Sequence, residues 1–136
     1  MAGEPRACIL IVEDAEEIAS TMAELLGGAG YEVVCAANGR DALHHLRTAG
    51  ALPGLILLDL MMPDMDGHEF RSAQTSDPRL AHIPVLLMSA GGDIVASARE
   101  LGARGYLKKP FKDIDSILDA VSRCVSGGPD RTDEGR

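Results

Sequence analysis

The chain has 136 residues, which suits one α/β domain and is too short for two full cores. Hydrophobic residues make up 46% and aromatics only 3%, with no Trp. A core built from Leu, Ile, Val, Met and Ala is therefore possible, but the stacking platforms of single-stranded nucleic-acid binders are missing.

The net charge of −8 argues against a phosphate-backbone partner. No run approaches the roughly 18 apolar residues of a membrane span. The expectation is a soluble cytoplasmic protein with no nucleic-acid and no membrane partner. Cys8, Cys35 and Cys124 are odd in number and widely spaced, which fits neither a disulfide framework nor a Cys-x-x-Cys metal site. They read as small buried hydrophobes in a reducing compartment.

In chain order, residues 1–6 form an N-terminal extension. Short solid apolar runs follow at Cys8–Val12, 55–58 and 85–88, each of strand length. Solid rather than alternating apolar character means both faces are covered, as in a parallel sheet. Residues 31–36 and 105–107 are weaker candidates for a second and a fifth strand. Between the strands lie helical patterns. Ile18, Met22, Leu25 and Leu26 mark one helix face, ended by Gly27-Gly28. Ala42, Leu43 and Leu46 follow Asn38-Gly39, residues 67–74 and 93–101 carry helix-start signals, and Ile114, Ile117, Leu118 and Val121 stripe a last helix. The sum is a doubly wound (βα)5 domain over residues 7–125 with a five-stranded parallel sheet. Residues 126–136 are Gly-, Asp- and Arg-rich and read as a disordered tail.

In an open parallel sheet, ligands bind beyond the carboxyl ends of the strands. Those ends carry Glu13-Asp14, Asp59, Ser89 and Lys108-Lys109-Pro110. Far apart in sequence, they gather at one edge of such a fold. Crowded carboxylates raise one another's pKa unless a cation intervenes, and oxygen ligands suit Mg²⁺. Lys109 can neutralise a transferring phosphoryl group, Ser89 can hydrogen-bond it, and a carboxylate can accept it covalently.

Four segments carry a resemblance: Ile9-Leu10-Ile11-Val12-Glu13-Asp14, then Leu57 to Gly67, then Leu87-Met88-Ser89-Ala90, then Gly105 to Phe111. Together, and in this order, they resemble the receiver domain of two-component response regulators, in particular the stand-alone kind typified by the bacterial chemotaxis regulator. The resemblance implies a flavodoxin-like receiver fold and a signalling module that catalyses only its own phosphotransfer and dephosphorylation. It implies that Asp59 is the phosphoacceptor and that Mg²⁺ is held by Glu13, Asp14, Asp59 and the backbone carbonyl of Met61. Lys109 matches the family's active-site lysine, followed by Pro110 through a cis peptide bond. Ser89 matches the switch hydroxyl, Ala90 the small residue that leaves room for it, and Tyr106 the aromatic switch. Ser at 89 replaces the commoner Thr and keeps the hydroxyl. The implied partners are a sensor histidine kinase or a phosphotransfer protein, and a downstream target. The target surface is implied at residues 93–101, 105–108 and 113–124.

Simpler readings stand beside these. Asp14 with Glu17, and Asp66 with Glu69, have capping-box spacing. Glu13 alone reads as an exposed loop acid, and Asp64 as a solvated one. Asp59 can be a strand-end acid paired with Lys109, Ser89 an idle strand-end hydroxyl and Tyr106 a half-buried strand aromatic. The four histidines are scattered, so zinc is not expected. A flavin-nucleotide binder is disfavoured, because the loop after the first strand is acidic. A phosphohydrolase is disfavoured too, because Met61 occupies the place of its general acid. A receiver-like interaction module that takes no phosphoryl group, and a phosphorelay shuttle, are the remaining alternatives.

Overall fold

A computed structural model describes residues 7–126. Strands and helices alternate without exception: β1 (Cys8–Val12), α1 (Glu16–Gly28), β2 (Glu32–Ala36), α2 (Gly39–Thr48), β3 (Leu55–Asp59), α3 (Gly67–Thr75), β4 (Val85–Ser89), α4 (Ile94–Leu101), β5 (Gly105–Lys108) and α5 (Ile114–Ser126). The expected N-terminal extension lies outside the described residues, as does the expected tail beyond 126. Ser126 itself closes α5.

All strands pair in parallel, in the order β2-β1-β3-β4-β5. This is the doubly wound, flavodoxin-like arrangement expected from the alternation. Successive strand side chains point to opposite faces. Leu10, Val12, Ile56, Leu58, Val85 and Leu87 therefore pack on one face, under Leu43 and Leu46 of α2, Phe70 of α3 and Ile94 of α4. Ile9, Ile11, Leu55, Leu57, Leu86 and Met88 pack on the other, under Met22 and Leu26 of α1 and Ile117 and Val121 of α5. The solid apolar runs have their cause here. The central strands β3 and β4 are buried at every position, because helices cover both faces. Edge strands β2 and β5 are only partly covered, and their sequence pattern is correspondingly weaker.

Three local expectations are corrected. Cys124 is buried, but Cys8 is only half-buried and Cys35 is exposed near the end of β2, an edge strand with a neighbouring strand on one side only. Ile114 was expected on the buried stripe of α5, yet it is exposed at the first turn, while Ile117 and Val121 three and seven residues on are buried. Asp14 does not cap α1. The N-cap is Ala15, with no side-chain cap hydrogen bond, because α1 begins at Glu16, one residue later than the Asp14–Glu17 spacing implies.

The topology sets the site. From β1 the chain crosses to β2 on one side, and from β2 it returns to β3 on the other. The crevice at such a reversal opens beyond the carboxyl ends of β1 and β3.

Candidate functional site

Glu13 and Asp14 follow β1 directly, and they behave differently. Glu13 is 2% exposed, contrary to its reading as a loop acid, whereas Asp14 is exposed. The Glu13 backbone N–H donates to Ala36 O, which prolongs the β1–β2 ladder by one residue and turns the side chain inward. Its carboxylate accepts from Ala15 N–H at 3.1 Å and from Lys109 Nζ at 2.7 Å.

Asp59 ends β3 opposite Met88 and is 3% exposed. Its Oδ1 accepts from Met61 N–H at 3.2 Å, and its Oδ2 lies 3.5 Å from Lys109 Nζ. Burial pushes the Asp59 carboxyl up to about 6, from an ordinary 3.8, and the Glu13 charge adds to this against the Met61 hydrogen bond and Lys109. The expected Asp59–Lys109 pair exists, but the shorter contact of the lysine is with Glu13.

Lys109 reaches the acids from beyond β5. Its backbone N–H donates to Ser89 O at 2.9 Å, and the Lys109–Pro110 peptide bond is cis. Ser89 ends β4 and is buried, but its hydroxyl serves its own loop. Oγ donates to Gly91 O at 3.0 Å and accepts from Gly91 N–H at 3.3 Å. Ala90 is exposed, and Tyr106 on β5 is 41% exposed. Met61 turns its side chain into solvent. The structure thus brings Glu13, Asp14, Asp59 and Lys109 together, while the Ser89 hydroxyl bonds to Gly91 and Tyr106 lies partly in solvent.

One carboxylate oxygen each from Glu13, Asp14 and Asp59 lies within 4.8 Å of the others. Hard oxygen donors at that spacing, two buried and one exposed, fit a divalent cation of the Mg²⁺ type.

The loop beyond Asp59 is held at its far end. Asp66 and Glu69 form the expected capping box, with Asp66 Oδ1 accepting from Glu69 N–H and Glu69 Oε1 from Asp66 N–H. Asp64 is exposed, and its φ of 67° is the left-handed turn of this loop.

A family model described as response regulator receiver domain matches residues 9–122. The chain belongs to this family.

The receiver is 39% identical over 120 residues to sporulation initiation phosphotransferase F of Bacillus subtilis, covering 86% of this chain and 92% of that protein. It spans a quarter to about half of several longer curated regulators that it also matches. Among solved structures it resembles the chemotaxis protein CheY4 of Vibrio cholerae, with a TM-score of 0.78 and 31% identity over 88% of this chain and 98% of that one. The phosphorylated cyanobacterial phytochrome response regulator RcpA gives 0.74 and 28%, over 88% and 94%. The acidic pocket of Glu13, Asp14 and Asp59 is typical of a receiver's phosphoacceptor site. Such domains are signalling modules that interact with histidine kinases or phosphotransferases. Among the described residues no helix is long and apolar enough to cross a membrane.

Residues that the sequence passed over also shape the receiver's site. Gly67 is the first residue of α3 and lies against Leu60, where an added Cβ would come within 2.7 Å of Leu60 Cδ2 and 2.8 Å of its Cα. Gln74 is fully buried and donates to Leu80 O at 2.9 Å and Ile83 O at 3.1 Å, which fixes the entry into β4. Arg71 donates to Gln74 Oε1 and to Leu101 O, both at 2.8 Å, and so ties α3 to the end of α4. No periodicity marks a buried Gln or a helix-tying Arg. Apart from the bond between the two side chains, their partners are backbone carbonyls, which every residue possesses.

Proposed function

We propose that the receiver is a phosphorylation-dependent switch whose acceptor is Asp59. The observation that carries this is the placement of Asp59, buried at the carboxyl end of β3 between a second buried acid and a lysine. Asp14, Asp59 and the Met61 carbonyl, with Glu13 in support, would hold Mg²⁺, which would supply positive charge against the phosphoryl oxygens. A carboxylate oxygen of Asp59 attacks the phosphorus of a phosphohistidine in line. The new O–P bond forms as the P–N bond breaks, and the electron pair stays on the imidazole nitrogen, which then takes a proton from solvent. Lys109 leaves part of its contact with Glu13 and meets the charge on the transferred group.

Ser89 then exchanges its contacts with Gly91 for the phosphoryl group, in the room that Ala90 leaves, and Tyr106 turns inward from its exposed position. Pro110 keeps Lys109 in line with the pocket. The surface of α4, β5 and α5 changes, and affinity for a downstream target shifts as a two-state population. Water later hydrolyses the aspartyl-phosphate. A cytoplasmic location and a sensor histidine kinase as donor complete this reading, and the three free cysteines fit a reducing compartment. The likeness to a sporulation phosphotransferase supports a second reading, in which the domain passes its phosphoryl group on to a phosphotransfer protein.

The test is incubation with Mg²⁺ and acetyl phosphate, with intact mass read beside an Asp59→Asn control. Gain of one phosphoryl mass by the wild type alone is expected. No gain, either with acetyl phosphate or with a panel of phosphorylated histidine kinases, refutes the acceptor role and leaves a receiver-like interaction module.

A further inference from the structure

We propose that the outer face of α2 docks an acidic segment of a partner protein, in a groove closed by Met65. Arg40, His44 and Arg47 are all exposed. They follow one another at the i, i+4, i+7 spacing that puts side chains on one helix stripe. Leu43 and Met65 line the groove beside them, which holds about 240 Å³. Met65 belongs to the loop between β3 and α3. It lies over the start of α2 so closely that a Cβ on Gly39 would meet its Cγ and Sδ at 2.9 Å.

The stripe is not an ordinary solvated helix face. Such faces interleave acids and bases three or four residues apart. Here the neighbours of Arg40 and Arg47 on the helix at those spacings are Leu43 and His44, and the one acid of the helix, Asp41, three residues before His44, is engaged with Asn38. None of the ion pairs among the described residues involves Arg40, His44 or Arg47. By contrast, the guanidinium of Arg79 is satisfied at the end of α2, by Leu46 O at 2.9 Å and Ala49 O at 2.7 Å, and adds its charge there. Exposed arginines with no ion-pair partner among the described residues stand out on a chain of net charge −8.

Charge complementarity selects the occupant. Arg40 and Arg47 are two helix turns apart, about 10 Å along the axis. An extended segment that carries carboxylates at about that spacing can meet each guanidinium in turn. Leu43 and Met65 give its apolar atoms a floor. α2 packs beside the edge strand β2, at the opposite edge of the sheet from β5, so a partner here leaves the α4-β5-α5 surface free. The inference is independent of the chemistry at Asp59.

The experiment is a titration of the whole ¹⁵N-labelled chain with a deca-glutamate peptide, with inorganic polyphosphate and a short DNA duplex as rival ligands. The peptide is expected to shift amides of α2 and Met65. Arg40→Ala/Arg47→Ala is expected to weaken it about tenfold, as loss of two exposed ion pairs does, with the remaining spectrum unchanged. Arg99→Ala/Lys108→Ala, which removes charge at the opposite edge, is expected to leave affinity unaltered. Shifts confined to the α4-β5 side, or equal affinity of the α2 double variant, overturn the proposal. Tighter binding of polyphosphate or DNA than of the peptide at this groove overturns the choice of occupant.

Discussion

Replacing Asp59 with Asn is expected to stabilise the metal-free protein at neutral pH. The buried carboxyl titrates at about 6 in the fold, against an ordinary 3.8. At about 1.4 kcal/mol for each tenfold change in proton affinity, ionising it in place costs the native state up to about 3 kcal/mol. Between those two values the native state holds a proton that the unfolded chain has lost. Stability therefore falls as pH rises from about 4 to about 6 and is flat above. Asn never ionises, can still accept from Met61 N–H, and leaves Lys109 its shorter contact with Glu13. Its advantage is therefore full at pH 7.5 and gone near pH 4. Mg²⁺ is expected to close most of that gap, because it would bind the folded wild type. At a hundredfold excess over its Kd it adds about 2.7 kcal/mol. Urea unfolding of both proteins at pH 7.5 and pH 4, with EDTA or with Mg²⁺, measures all four differences. Equal stability in EDTA at pH 7.5, or a gain that persists unchanged at pH 4, refutes the argument that burial and Glu13 strain this carboxylate.

Gln74→Leu removes the donor to the Leu80 and Ile83 carbonyls and is expected to cost about 2–4 kcal/mol. A urea midpoint equal to that of wild type refutes the role given to Gln74. Gly67→Ala places a Cβ against the Leu60 backbone, where nothing flexible can move away. A loss of about 1–3 kcal/mol, together with slower labelling by acetyl phosphate, is expected, because Leu60 is joined directly to Asp59. A normal melting temperature with normal labelling contradicts this. Lys109→Ala is expected to keep Mg²⁺ binding, since its amine is not a ligand, but to abolish the chemical-shift change at Tyr106 on phosphorylation. A Tyr106 response like that of wild type removes Lys109 from the switch.

The fold was legible because its cause is local and repeated. Runs such as Leu55 to Leu58 can be solid only where helices cover both faces of a strand, and Met22 with Leu26 can stripe only a helix. The acidic edge was legible for the same reason. Once the strands are placed, Glu13, Asp14, Asp59 and Lys109 must converge at their carboxyl ends. The capping box at Asp66 and Glu69 is likewise contained in four consecutive residues.

What the tertiary structure decided depends on partners distant in sequence. Nothing around Glu13 distinguishes a buried acid from an exposed one. Its burial follows from the hydrogen bond to Ala36 and the arrival of Lys109 from 96 residues away. Cys35 has apolar neighbours in sequence, yet it lies exposed because β2 is an edge strand, and strand order is a property of the whole chain. Gln74, Arg71 and Gly67 have their roles from a carbonyl, a helix end and a backbone approach that local pattern does not encode. The sequence by itself determined which chemistry meets at the sheet edge, because strand periodicity is local. Which acid holds the lysine, and where Ser89 and Tyr106 point, was decided by packing, because burial and hydrogen-bond partners exist only in three dimensions.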